Sequence, residues 1–336
     1  MYASVAAAGK RPEGGIQMGA YGLTIPLSGM PLHAQRDLVA SLPELGYTDV
    51  WSAEAGGTDA FTPLALASVW APQLRLGTAI VPAFTRGAAT IAQSAAALAD
   101  AAPGRVAIGI GSSSEVIVSR WNGIPFDRPY ERVRDTVRFL RVALTGQKVT
   151  QTYPTFSVDG FRLLHVPEVP PKILVAALRP RMLRLAGREA DGAILNWLSA
   201  DDVRKTAAYV REGGPDKEIV ARIFVAPTAD AATARAVGRQ AIAAYLTVPV
   251  YRAFHEWLGR GEVLAPMWTA WTAGDRRGAA AAIPDDVVDA LVVHGSPDEC
   301  RAHVQRYVDA GVTTPVLALL PTPGDVSEHV RALAPA

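Results

Sequence analysis

The chain has 336 residues, 49% of them hydrophobic, and a formal net charge of +1. That length buries a large core without help from metals or disulfides, and the near-neutral balance carries no electrostatic footprint for nucleic acid. No apolar run approaches the roughly 18 residues of a membrane helix, and the single cysteine, Cys300, excludes an internal disulfide framework and suits a reducing compartment, so a cytoplasmic protein is expected.

Residues 1–15, MYASVAAAGKRPEGG, place a short run of small residues before the charges, the reverse of a signal peptide, and read as a flexible arm. The rest, 16–336, reads as a single domain. A short strand is predicted over 16–22 (IQMGAYG). A helix with Leu38, Leu42 and Leu45 on one face follows and is stopped by Gly46. The second strand is 47–52 (YTDVWS), followed by Ala53-Glu54-Ala55-Gly56-Gly57 and a helix over 60–70 that Asp59 can cap. The third strand, 74–81, a helix over 88–102 and the fourth strand, 105–111, form a strand–helix–strand unit whose strand ends open onto loops. Beyond a helical stretch carrying Trp121, the spacing of Val133, Val137, Leu140 and Leu144 predicts an amphipathic helix over 130–145. Residues 149–164 alternate and contain Asp159-Gly160, a hairpin signal inserted before the next core strand.

The fifth strand, 172–177 (KILVAA), is continuously apolar, as a buried parallel strand should be. Pro180 opens the next helix. A sixth strand is predicted over 192–197, a helix opened by Ser199 over 200–212, a seventh strand over 219–225 and an Ala-rich helix over 230–247. Residues 249–283, with Trp257, Trp268 and Trp271, read as long and irregular. A helix over 285–293, another over 297–310 holding Cys300 as a packed residue, an eighth strand over 315–320 and a short terminal helix complete the chain. Eight strands alternating with helices argue for an α/β fold of the (β/α)8 TIM-barrel type, with an insertion after strand 4 and a long irregular segment before strand 8. A doubly wound sheet would carry a Gly-rich fingerprint after its first strand, and residues 16–24 have none.

In such a barrel the chemistry sits at the carboxyl ends of the strands. None of the six histidines forms a ligand-spaced pair, so no metal site is expected, and there is no G-x-S-x-G elbow. Gly109-Ile110-Gly111-Ser112-Ser113-Ser114 ends a strand and enters a helix; it is either an anion- or cofactor-holding turn or a glycine-assisted turn with serine caps. The same choice applies to Ala176-Ala177-Leu178-Arg179. Glu54 is an acid/base or ring N–H acceptor, or else a solvated loop charge. Arg86 either meets a phosphate or carboxylate or makes a surface ion pair. Tyr21, Trp51, Phe84, Trp121 and Trp197, near strand ends, are candidates to wall a pocket for a flat ring, or core.

Five segments carry a family likeness: LGYTDVWSAEAGGTDAFTPLALAS, LRLGTAIVPAFTRGAATIAQSAAALAD, GRVAIGIGSSSEVIVSRWNGIPFDRPYERVRDTVRFLR, PPKILVAALRPRMLRLAGREADGAILNWL and VVHGSPDECRAHVQRYVDAGVTTPVLAL. The chain resembles the bacterial-luciferase-like superfamily, and within it the oxidoreductases that use the deazaflavin coenzyme F420. The resemblance implies a barrel in which a bulge with a non-proline cis peptide, here Ala79-Ile80, backs the deazaflavin ring. It implies that Glu54 contacts that ring system and that the turns Gly111-Ser112-Ser113 and Ala176-Ala177-Leu178-Arg179 hold the cofactor's linker and phosphate. Sugar-phosphate dehydrogenases of the family place a histidine directly after the strand-two acid; this chain has Ala55 there, so that activity is not expected. The implied function is hydride transfer between F420 and a small organic substrate, with Glu54 as the catalytic candidate and Tyr21, Trp121 and Trp197, together with the Trp268/Trp271 region, on the substrate side. The alternatives are an FMN-dependent monooxygenase using dioxygen with a partner reductase, and a non-catalytic cofactor-binding protein of the same fold. Partners are limited to the small-molecule substrate and a second copy in a homodimer, with neither nucleic acid nor membrane expected.

Overall fold

The structure, a computed structural model, describes residues 19–335. Its strands in chain order are β1 (Gly22–Thr24), β2 (Asp49–Ser52), β3 (Arg75–Pro82), β4 (Val106–Gly111), β5 (Val149–Thr152), β6 (Ser157–Phe161), β7 (Lys172–Ala176), β8 (Gly192–Asn196), β9 (Glu218–Ala226), β10 (Val292–His294) and β11 (Thr314–Leu319). Eight of them, in the order β1-β2-β3-β4-β7-β8-β9-β11, close into a parallel barrel because β8 pairs with β9 and β11 with β1. The helices between them cover the barrel, and the antiparallel pair β5–β6 is the insertion after the fourth barrel strand. No helix among the described residues is long and apolar enough to cross a membrane.

Large residues fill the barrel interior where small ones make room. Trp51 is fully buried there with Leu174, Val220 and Val316. A Cβ on Gly77 would lie 2.2 Å from the Trp51 ring, and one on Gly22 3.0 Å from it, so the indole is accommodated by two glycines on the neighbouring strands. The amino-terminal end of the barrel is closed by charge: Arg75 donates to both carboxylate oxygens of Glu218, at 2.5 and 2.9 Å, and Lys172, Asp49 and Thr314 complete the cluster.

The structure departs from the sequence expectations in four places. The first strand forms at Gly22–Thr24, not over 16–22; residues 16–18 and the arm over 1–15 lie outside the described residues. Tyr21 precedes the strand because its amide is taken by Thr48 Oγ1 at 2.7 Å and its ring packs on Tyr47. The hairpin turns at residues 153–156, closed by Tyr153 N–H donating to Phe156 O, while Asp159-Gly160 sits inside β6. Gly160, at φ +70°, absorbs the register shift there. The segment 249–283 is not irregular but three helices, Pro249–Leu258, Gly261–Thr272 and Arg276–Ala281. Pro266 inside the second and the left-handed Gly259 between the first two break up the periodicity that would have revealed them. Finally, β10 is a three-residue strand that exists only by pairing Val292–His294 with residues 224–226 of β9, and its local pattern reads as helix.

Candidate functional site

The carboxyl ends of the barrel strands surround a cavity of about 1050 Å³. Its floor is a bulge in β3. Thr78 pairs with Ile108 and Val81 with Ile110, so Ala79 and Ile80 together oppose the single residue Gly109. The Ala79-Ile80 peptide is cis. Thr78 bridges the break: its hydroxyl accepts from Gly109 N–H at 2.8 Å and donates to Gly109 O at 3.1 Å. Gly109 is required, since a Cβ there would lie 2.2 Å from both Thr78 O and Ile194 Cδ1. The role of Thr78 has no local sequence signal beyond its place in a strand.

Glu54 joins this floor to the loop after β3. Its N–H donates to Ile80 O at 3.1 Å. Its carboxylate accepts from Arg86 Nε at 3.1 and 2.9 Å, and Arg86 Nη2 lies 2.9 Å from Oε2. Ala60 N–H donates to the same carboxylate at 3.3 Å. Arg86 therefore makes an ion pair at the cavity edge, and the oxygens of Glu54 are engaged by its own chain. Such a carboxylate is suited to holding two loops in register.

Two turns line the adjoining wall. Gly111 leads into Ser112, Ser113 and Ser114, with Ser113 at φ +63°, and then into a π-helical segment, Val116–Trp121. A Cβ on Gly111 would meet Ile80 Cδ1 at 2.9 Å and Ala176 Cβ at 3.1 Å, so bulge, turn and the end of β7 converge. Ala176, Ala177, Leu178 and Arg179 then enter helix Pro180–Glu189, whose start has no side-chain cap. Pro180 has no N–H and the Met182 and Leu183 amides both donate to Arg179 O at 3.0 Å, so the Arg181 N–H and the Arg179 guanidinium, which makes no ion pair among the described residues, are what present positive potential there. Arg181 nearby is already paired with Glu131 at 3.1 Å.

Of the residues singled out from sequence, Glu54, Ala79, Ile80, Ser112, Ser113, Ala176, Ala177, Leu178, Arg179 and Trp121 line this cavity, and Gly111 supports it from behind. Trp121 is 59% exposed at the mouth. Tyr21 and Trp197 are not brought to it. Tyr21, 1% exposed, lies at the amino-terminal end of β1, where its hydroxyl donates to Leu333 O at 3.3 Å. Trp197 is buried behind the wall, stacked on Phe224 with centroids 3.8 Å apart. Trp268 donates to Leu246 O, and Trp271 stacks with Arg276; neither lines the cavity, where Trp257 does.

Sequence reading missed the polar group on the β8–β9 wall. Asn196 and Arg222 are register partners on adjacent strands and both face the cavity. Asn196 Nδ2 donates to Tyr251 Oη at 2.7 Å, from helix Pro249–Leu258. Burial pushes the Tyr251 hydroxyl up to about 12. Asn196 Oδ1 and Arg222 Nε are buried, and no group among the described residues pairs with them, an arrangement that costs about 1–3 kcal/mol for each group left unmatched. An arginine in the middle of an apolar strand, EIVARIFVA, was the available signal.

The family model for luciferase-like monooxygenases matches residues 8–314. The chain belongs to that family. This luciferase-like chain is 29% identical over 355 aligned positions, covering 95% of itself and 97% of the relative, to a putative coenzyme F420-dependent oxidoreductase of Mycobacterium tuberculosis. It is 26% identical, over 80% of itself and 84% of the relative, to the 5,10-methylenetetrahydromethanopterin reductase of Methanolobus tindarius. Among solved structures, the coenzyme F420-dependent tetrahydromethanopterin reductase of Methanopyrus kandleri superposes with a TM-score of 0.76 at 19% identity, over 94% of this chain and 97% of that one. The barrel and its inserted hairpin are thus the luciferase-like fold.

Proposed function

We propose that this luciferase-like protein is an oxidoreductase that transfers a hydride between coenzyme F420 and a small organic substrate. One observation carries the reading: the Ala79-Ile80 bulge, the Gly111–Ser114 turn and the uncapped start of helix Pro180–Glu189 converge on one cavity. The residues present fit a flat ring with an anionic tail. Gly111 keeps the floor clear where a methyl would press on Ile80, and the Arg179 guanidinium with the Arg181 N–H at the helix start suits a phosphate. F420 is preferred to FMN because a relative aligned over 95% of this chain and 97% of its own length is named for F420.

When bound, F420 supplies the two-electron hydride chemistry. The chain's own contribution is positional. Ile80 and Ala79 would support one face of the ring, and Glu54 would hold the bulge carbonyl and the Arg86 loop in place. Ser112, Ser113 and Arg179 would take the tail, while Trp121 and Trp257 close the mouth against water.

Titration of the purified protein with F420 and, separately, with FMN, followed by cofactor fluorescence, tests the assignment. Saturable F420 binding at least about tenfold tighter than FMN supports it. Tight FMN binding without F420 affinity would reject it in favour of the monooxygenase reading.

A further inference from the structure

The barrel interior contains arginines at both ends, and the chain treats them differently. At the amino-terminal end Arg75 is matched by both oxygens of Glu218 and lies 3.5 Å from Asp49. At the cavity end Arg222 has no carboxylate: no hydrogen bond or ion pair to its guanidinium occurs among the described residues, and its Nε is buried. Glu54, across the cavity, is occupied by Arg86, and Glu131 by Arg181.

The surroundings of Arg222 narrow what would match it. Its guanidinium lies over Phe224, 4.9 Å from the ring centroid, which holds the fork in one plane. Asn196, beside it, donates one amide hydrogen to Tyr251 Oη, so the Tyr251 hydroxyl proton is free to be donated into the cavity. Asn196 Oδ1 still lacks a donor. The facing wall, from helices Ala231–Leu246 and Pro249–Leu258, brings Tyr245, Val248, Tyr251 and Trp257 and no charged side chain to the cavity. The site therefore offers a fixed cation, a hydroxyl donor and an amide acceptor set against an apolar surface.

We propose that Arg222, with Tyr251 and Asn196, is an anion-recognition subsite, and that the substrate is a small organic acid with an apolar body. Its carboxylate sits in the Arg222 fork and accepts from Tyr251. A hydroxyl on the same molecule donates to Asn196 Oδ1. The anion is assigned to the substrate and not to the cofactor because the uncapped helix start and Arg179 form a separate cationic point on β7, with β8 between it and Arg222. This rests on the F420 reading above only for the identity of the neighbouring ligand.

The test uses the full chain at neutral pH. Mandelate and 2-hydroxyoctanoate, each against its neutral amide, are titrated with intrinsic tryptophan fluorescence as readout, since Trp121 and Trp257 line the cavity. The acids are expected to bind at least about tenfold more tightly than the amides, as a charge-assisted hydrogen bond predicts. Arg222→Met should bring acid and amide within about twofold of each other, and Arg222→Lys, which keeps charge but loses the fork, should fall between. F420 affinity in Arg222→Met should stay within about twofold of the unsubstituted chain, and circular dichroism checks that both variants fold. Equal binding of acid and amide by the unsubstituted protein would overturn the proposal. So would an Arg222→Met variant that loses F420 affinity as steeply as acid affinity, because the anion would then be the cofactor's. Acid preference without any F420 binding would sustain the subsite and reject the cofactor reading instead.

Discussion

A methyl group added at Gly109 would have to share space with Thr78 O, a backbone atom, and Ile194 Cδ1, both 2.2 Å away. The backbone contact cannot be relieved by a rotamer change. Gly109→Ala should therefore lower stability by about 1–3 kcal/mol, the usual cost of overpacking, read as a fall in the urea midpoint. Gly111→Ala separates stability from function. There the obstacles are the far end of Ile80, at 2.9 Å, and Ala176 Cβ, at 3.1 Å, and an isoleucine tip can move. That variant should unfold near the unsubstituted midpoint yet bind F420 at least about tenfold more weakly, because the displaced Ile80 is the cavity floor. A binding constant unchanged in Gly111→Ala would detach the bulge from cofactor binding.

The helices that cover the site are joined through caps and one buried histidine. Ser199 and Asp202 form a capping box on helix Ala200–Arg211, and Arg260 reaches both, donating to Ser199 Oγ at 3.0 Å and pairing with Asp202 at 2.8 Å. Close by, His255 is fully buried, with Nε2 2.9 Å from Trp197 O. Burial, reinforced by Arg260, pushes its pKa down to about 4 from 6.5. In the unfolded chain it takes a proton near 6.5, so protonation favours unfolding between the two values. The stability this site contributes is full above pH 6.5 and declines as pH falls toward 4. His303, lowered in the same direction by burial, adds to the slope. His255→Gln should remove about 2–3 kcal/mol of the loss between pH 7 and pH 4, measured by denaturant unfolding across that range. An unaltered slope would show that His255 charges without unfolding its surroundings. These elements also show what was legible in sequence. Ser199, Asp59 and Pro180 announce helix starts through local chemistry, and the structure has helices there. The helices over 249–281 were not legible, because a proline, a left-handed glycine and aromatic residues disturb the period. The same holds for Arg222 and Tyr251: what makes them a site is a pairing across strands and a helix from a distant part of the chain.

At the scale of the whole molecule, the barrel separates a charged end that is complete within the chain from one that is not. Cavity turns such as Gly111–Ser114 and residues 176–179 follow directly from strands whose ends are apolar and built of small residues, glycine in β4 and alanine in β7, which is why their placement could be read locally. The plug at the other end draws on β2, β3, β7, β9 and β11, and no local pattern foretells it. Within it Glu218 lies 8% exposed, and burial would raise its carboxyl, but the two bonds from Arg75, the charge of Lys172 and the Thr314 hydroxyl outweigh that and hold it below its ordinary 4.5. A carboxyl lowered by folding contributes stability that is present above pH 4.5 and lost as pH falls through its folded value. Asp49 runs the other way, raised chiefly by burial, so it opposes part of this effect. Removing the guanidinium leaves the buried Glu218 with the exposed Lys172 as its remaining cation. Arg75→Met should thus cost about 3 kcal/mol at pH 7, toward the lower end for a broken buried pair because Arg75 is 24% exposed. Because Glu218 would then prefer its protonated form, the variant should lose less stability on acidification below pH 4.5 than the unsubstituted chain, and the two curves should converge. Urea unfolding at pH 7 and at pH 4 reads both effects, and a constant difference between the two proteins at both values would mean that Arg75 acts by packing on Trp51, over whose ring it lies at 5.5 Å, and not by holding the carboxylate.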